Sequence, residues 1–220
     1  MKNQYVGDIN DYRKYGLIRL LSDGGALRTA VCWMLTAGDG RADGEKTAYL
    51  RQPGEYRVYD PELFDRLEDL VLQRDARDVQ AVEQAGILPA ARFHSALLTD
   101  DPEQRRRYMD DFLALAKGCD LVFFDPDNGI EVKSVPLGRK DSAKYLHWSE
   151  LKRVFAAGAS VLIYQHFPRE EFTCTRTLAS DSRRRRRGWG RVLRTPQASG
   201  AGRPGCRRQS TGHPPQPEGA

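Results

Sequence analysis

Alternation of apolar runs with helical stripes organises the first 166 residues. Tyr15, Leu17, Ile18 and Leu21 form a helical stripe within Asp11 to Leu21, which ends at Asp23-Gly24-Gly25. Thr29 to Leu35 is a continuous apolar run with turn residues on both sides, the signature of a strand buried on both faces. Asp60-Pro61 combines an N-cap with proline at the first helical position, and Leu63, Phe64, Leu67, Leu70 and Val71 carry the stripe onward. Asp78 to Gly86 predicts a short helix, and Ala91 to Leu98 a strand. Thr99-Asp100-Asp101-Pro102 opens another helix through Tyr108, Met109, Phe112, Leu113 and Ala116. Asp120 to Phe124 is the most strand-like stretch and runs directly into Asp125-Pro126-Asp127-Asn128-Gly129. Ser149 opens a helix through Leu151, Val154 and Phe155, and Ser160 to Tyr164 is a last strand before Gln165-His166.

Apolar strands alternating with helices predict an α/β domain over residues 1–179: a doubly wound, mostly parallel sheet with helices on both faces. In such sheets a ligand lies at the carboxyl ends of the strands. Three polar clusters fall there: Gly38-Asp39-Gly40, Asp125 to Glu131, and Gln165-His166.

Charge changes the picture only once it is divided. The net +5 splits into +8 for residues 180–220 and −3 for residues 1–179, so the body is mildly acidic. The last 41 residues hold ten arginines, no lysine, and only Trp189, Val192 and Leu193 as large apolar residues. That composition predicts a disordered tail. Three readings stay open for it: a phosphate-neutralising arm, a tail without a role, and an out-of-frame translation of GC-rich sequence. No apolar run reaches the roughly 18 residues of a membrane span. The N-terminus lacks the apolar stretch of a secretory signal. Cys32, Cys119, Cys174 and Cys206 are scattered, which predicts reduced thiols and a cytoplasmic protein without a zinc or disulfide frame.

Gly38 and Gly40 would let backbone approach a nucleotide-like ligand, although a surface turn uses the same residues. Asp125 and Asp127 beside Asn128 repel unless a metal ion, a substrate amine or a local turn hydrogen bond intervenes. Among other polar residues, His94 reads as a core or edge residue, His147 as a helix cap and His166 as a rim residue. Arg105-Arg106-Arg107 reads as a solvated face. Gly138-Arg139-Lys140 with Lys144 is a small basic loop, open to phosphate contact or to plain solvation.

The order of Gly7-Asp8-Ile9-Asn10-Asp11-Tyr12-Arg13-Lys14, the first strand with its glycine turn, Thr99-Asp100, and Asp125-Pro126-Asp127-Asn128 resembles Rossmann-like S-adenosylmethionine-dependent methyltransferases. Large-subunit rRNA adenine amino-methyltransferases and three-Cys-motif partner proteins are the nearest likeness. They carry an Asp-x-x-Lys helix before the first strand and an Asp-Pro-Pro-Tyr-type turn after the fourth. The resemblance spans roughly residues 7–166. It implies that Gly38, Asp39 and Gly40 hold S-adenosylmethionine, that Lys14 and Asp100 line its pocket, and that Asp125 and Pro126 orient an amine. Asp127-Asn128 would complete the turn, and a nucleic-acid amino group is the implied acceptor. Asp127-Asn128 replaces the Pro-aromatic pair of that family, so the ring that stacks on a flipped base is missing.

Two alternatives use the same residues. Pro126-Asp127 followed by Glu131-Val132-Lys133 matches a PD…ExK nuclease pattern, with Asp127 and Glu131 on Mg²⁺ and Lys133 polarising water. The other is a nucleotide-binding module with no chemistry of its own.

Overall fold

The computed structural model describes residues 1–38 and 44–166; Asp39, Gly40 and the arginine-rich tail lie outside the described residues. In chain order the regular elements are α1 (Ile9–Leu21), β1 (Thr29–Cys32), α2 (Pro53–Tyr56), α3 (Pro61–Glu68), α4 (Val79–Gln84), β2 (Ala91–His94), α5 (Pro102–Leu115), β3 (Leu121–Phe124), β4 (Gly129–Ile130), β5 (Tyr145–Leu146), α6 (Trp148–Ala156) and β6 (Ser160–Ile163). Four of the helices start on an aspartate whose carboxylate accepts from the first-turn backbone. These are Asp8 for α1, Asp60 for α3, Asp78 for α4 and Asp101 for α5. Helix α6 starts at Trp148, one residue before the expected Ser149, because Glu150 accepts from the His147 backbone N–H and fixes the cap there.

Four strands form a parallel sheet in the order β2-β1-β3-β6. Cys32 is level with both His94 and Phe124, and Phe124 with Ile163, so all four carboxyl ends finish together. The two central strands, β1 and β3, are buried at every position, which is why both read as unbroken apolar runs. Alternate residues feed two hydrophobic clusters. Val31, Leu121, Phe123 and Leu162 join Tyr15 and Ile18 of α1, Leu63, Phe64 and Leu67 of α3, and Val79 and Val82 of α4. Cys32, Val122, Phe124 and Ile163 join Tyr108, Met109 and Phe112 of α5 with Leu151 and Val154 of α6.

The ladders are shorter than the apolar runs. Expected strands over 29–35 and 91–98 pair continuously only through Cys32 and His94, then touch again at a parallel Leu35–Leu97 bridge. Met34 is the reason: its φ of 47° takes the backbone out of the extended region. A second, two-stranded parallel ladder joins β4 to β5. Among the described residues, no helix is long and apolar enough to cross a membrane.

One expectation is corrected. Arg105 is not part of a solvated face: it is 1% exposed. Its guanidinium binds both Glu150 oxygens at 2.6 and 2.9 Å and donates to the Ser142 and Tyr145 carbonyls. Arg106 and Arg107 are exposed and pair with Glu103.

Candidate functional site

The aligned carboxyl ends deliver the segments after β1, β2, β3 and β6 to one rim. Asp125 extends β3 by one step, its N–H donating to the Cys32 carbonyl at 3.1 Å, and Tyr164 N–H donates to the Phe124 carbonyl at 3.0 Å. Phe124 points into the α5–α6 cluster, so the next residue, Asp125, leans toward α1. There Lys14 Nζ lies 2.7 Å from Asp125 Oδ2 and 2.7 Å from Asp11 Oδ1. Spacing of three on α1 puts Asp11 and Lys14 on one face. Tyr15 OH and the Gly7 N–H both donate to Asp11 Oδ2 at 3.1 Å. The Lys14 ammonium also sits 4.5 Å from the centre of the Tyr164 ring.

All three charged groups are buried: Asp11 at 1%, Asp125 at 2% and Lys14 at 5% exposure. Burial pushes the Asp11 carboxyl up to about 6, with Asp8 and Asp125 adding to the rise and Lys14 opposing it. Burial works to lower the Lys14 pKa, but the Asp11 and Asp125 carboxylates outweigh it and hold the ammonium above the ordinary lysine value. Burial likewise takes the Tyr164 phenol up to about 12 and holds His166 below the usual imidazole range. The His166 ring stands edge-on to Tyr164, with centroids 4.6 Å apart.

Two residues on, the turn holds a primary amine. The Met1 α-amino group donates to the Asp125 carbonyl at 2.9 Å and the Met34 carbonyl at 3.2 Å, and lies 2.9 Å from Asp127 Oδ1. Thr36 OH donates to Asp127 Oδ2 at 2.7 Å. Burial raises the Asp127 carboxyl, yet the α-ammonium, Thr36 and Lys2 overcome that and keep it below the ordinary aspartate value. Pro126 is buried beneath this turn and Asn128 is exposed, its N–H donating to the Lys144 carbonyl at 2.9 Å. Gly129 follows at φ 99°, where a Cβ would meet the Gln165 amide at 2.4 Å. That close approach lets Gln165 accept from the Ile130 N–H at 2.9 Å and tie the turn to the β6 rim.

Asp127 and Glu131 do not converge. Glu131 Oε2 lies 2.5 Å from His147 Nδ1, and its other oxygen accepts from the Trp148 N–H. Among the described residues no group of three or more His, Cys, Asp or Glu could hold a metal ion. With Glu131 turned to His147 and Trp148 and Asp127 to the Met1 amine and Thr36, the residues do not fit Mg²⁺.

A cavity of about 360 Å³ opens on the same rim, between the segments after β1 and β2. Thr36, Ala37, Leu97, Leu98, Thr99, Asp100 and Ala143 line it, with Lys2, Asp141 and Lys144. Asp100 holds the far wall in place by accepting from Asp141 N, Ser142 Oγ and Ala143 N at 2.7–3.1 Å. Of the residues expected to hold a cofactor, Asp100 lines this cavity. Gly38 is exposed just beyond Ala37, and Asp39 and Gly40 lie outside the described residues. Lys14 is not among the lining residues; it is spent on Asp11 and Asp125.

Sequence reasoning missed Thr36, Tyr164 and the Met1 amine. Their partners are set by strand order, which residue spacing does not reveal. Asp11 carried a signal, the Asp11-x-x-Lys14 spacing. Comparison of the chain with protein-family models, with curated proteins and with solved structures gives no match.

Proposed function

We propose that the sheet is the centre of a doubly wound domain of the methyltransferase kind, which binds S-adenosylmethionine in the rim cavity and methylates an amino group, with a nucleic-acid base as acceptor. The observation that carries this reading is Thr36, which lines the cavity and also donates to Asp127 at 2.7 Å. A small-molecule volume and an amine-holding turn thus share a wall. About 360 Å³ lies within the usual range of roughly 300–1,000 Å³ for small-molecule sites. Its apolar wall of Ala37, Leu97, Leu98 and Ala143, with the Thr36 and Thr99 hydroxyls and the charged groups of Lys2, Asp100, Asp141 and Lys144 around it, suits a ligand with both an apolar ring and polar groups, as a nucleoside has.

When bound, S-adenosylmethionine supplies an electrophilic methyl group. The chain's own task is to aim a nitrogen lone pair and exclude water. The Met34 and Asp125 carbonyls would accept the two protons of an acceptor amino group and fix the nitrogen's orientation, and the Asp127 carboxylate would take the proton that the nitrogen sheds as the methyl is transferred and the thioether S-adenosylhomocysteine departs. The Asp125 carboxylate serves differently from the role its motif implies: it anchors Lys14 and thereby the turn. In this structure the Met1 amine fills the cradle, so an acceptor amine enters as Met1 leaves.

The experiment is transfer of labelled methyl from S-adenosylmethionine into a nucleic-acid pool. Activity in the parent and its loss in Asp127→Ala support the reading. A specific observation favours the non-catalytic alternative: Asp125 and Asp127 are both already engaged by internal cations. Cofactor binding without transfer to any acceptor would assign the chain to that class.

A further inference from the structure

The segment ahead of α1 reaches the rim in two parts. Residues 3–7 are tied to the body of the domain. Asn3 Oδ1 accepts from the Val79 N–H at 3.2 Å, and the Arg77 guanidinium donates to the Gln4 and Val6 carbonyls at 2.6 and 2.9 Å. Tyr49 OH donates to the Gly7 carbonyl at 3.2 Å. Met1 and Lys2 lie beyond that anchor and on the site itself. A primary ammonium has three N–H groups, and three acceptors surround the one on Met1: the Met34 carbonyl at 3.2 Å, the Asp125 carbonyl at 2.9 Å and Asp127 Oδ1 at 2.9 Å. The Thr36 N–H donates to the Met1 carbonyl at 2.9 Å, and Lys2, next along, lines the rim cavity. Met1 is 2% exposed and its side chain joins the α1-side cluster, so the docked arrangement is the resting one. No strand ladder holds these two residues: Lys2 is extended, at φ −128° and ψ 150°, just before the short turn at Asn3–Tyr5.

We propose that Met1 and Lys2 form an autoinhibitory strap, in which the Met1 ammonium is a resident competitor for the amine cradle and an incoming amino group opens the site by displacing it. The turn needs such an occupant. Its two carbonyls and the Asp127 carboxylate are acceptors largely withdrawn from water, and leaving them unmatched is costly. The anchor at residues 3–7 keeps the ammonium close at hand, so its return is an intramolecular event at high effective concentration. A ligand without an amino group offers the carbonyls no proton in exchange and leaves the strap where it is. That the displacing group is a methyl acceptor rests on the reading above; the displacement itself does not.

The test follows hydrogen exchange of the Thr36 amide by NMR in the full chain, with the Val122 amide of the central strand β3 reporting global opening. Millimolar cytidine should speed Thr36 exchange on the order of tenfold and leave Val122 unchanged. Uridine, which carries a carbonyl oxygen where cytidine has its amino group, should change neither. A second chain carries Gly-Ser ahead of Met1, which turns the ammonium into an amide with a single N–H. In that chain Thr36 should exchange fast without any ligand while the protein still melts cooperatively. Its methyl transfer from S-adenosylmethionine to a nucleic-acid pool should exceed the parent's on the order of tenfold, the inverse of the fraction of chains with a free cradle. Thr36 exchange that ignores cytidine, or answers equally to uridine, would overturn the strap. So would an extended chain that no longer folds, which would make Met1 a fixed part of the core. Equal methyl transfer by the two chains removes the strap and spares the methyl-transfer reading. Cytidine-driven exchange at Thr36 with no transfer by either chain does the reverse.

Discussion

Lys14 Nζ stands 2.7 Å from Asp125 Oδ2, joining the helix before the first strand to the turn after the third across 111 residues of sequence. That contact, together with Asp11 on the other side of the ammonium, fixes where the Asp125–Asn128 turn sits. Removing the cation leaves two carboxylates buried without their partner. Lys14→Met should therefore cost about 3–5 kcal/mol of stability. For a chain of this size that is a fall in melting temperature of roughly 10 °C, measured by thermal denaturation. A change below the scatter of surface substitutions would contradict the network.

Asp11 gives that network a defined pH response. Its folded-state pKa of about 6 lies above the ordinary aspartate value of 3.8. Between those values the native state binds the extra proton, so Asp11 costs stability at neutral pH, and the cost is relieved as pH falls through about 6. Asp11→Asn removes the titrating group. The stability of the variant minus that of the parent should rise between pH 5 and pH 7, as followed by melts at matched ionic strength. A difference that stays flat or falls would show that Asp11 does not titrate in this window.

Gly129 is the closest backbone approach at the turn, and two effects act there. Gly129→Ala forces a β-carbon into the Gln165 amide and places alanine at φ 99°. A destabilisation of about 2 kcal/mol is expected from the backbone alone, more with the clash. Adding Gln165→Ala should recover the clash and leave the backbone cost. Urea denaturation of the single and double variants checks this; full recovery in the double variant would place the whole effect on the side chain.

Arg105 and Glu150 form another buried ion pair. Glu150→Ala leaves the guanidinium without its carboxylate and should cost about 3–5 kcal/mol. Arg105→Lys should not rescue the parent stability, because one ammonium cannot reproduce the planar fork that reaches Glu150, Ser142 and Tyr145. Near-parent melting of Arg105→Lys would refute that geometry.

Much of the frame was legible because buried parallel strands are written as apolar runs. Thr29–Cys32, Leu121–Phe124 and Ser160–Ile163 all sit inside the segments read as strands. The break at Met34 was invisible, since nothing in an apolar residue announces a positive φ. The four-residue helix α2 and the two-residue strands β4 and β5 are too short to show a period. Arg105 did leave a trace: it lies three, four and seven positions before Tyr108, Met109 and Phe112, on the buried stripe of α5. Its charge hid that position until Glu150 was placed beside it. For the site, the turn at Asp125–Asn128 was found by its composition at a strand end. Which cation answers each carboxylate depended on the strand order that brings α1, Thr36 and Met34 to the same rim.

Methyl transfer by this chain requires that the rim cavity take a nucleoside-bearing methyl donor. Isothermal titration calorimetry of the full chain with S-adenosylmethionine, repeated with S-adenosylhomocysteine, measures this directly. A saturable one-to-one heat with both ligands, weakened by bulky substitution of Ala37 at the cavity wall, is the predicted result. No heat and no rise in melting temperature with either ligand, on a chain that melts cooperatively, would contradict it.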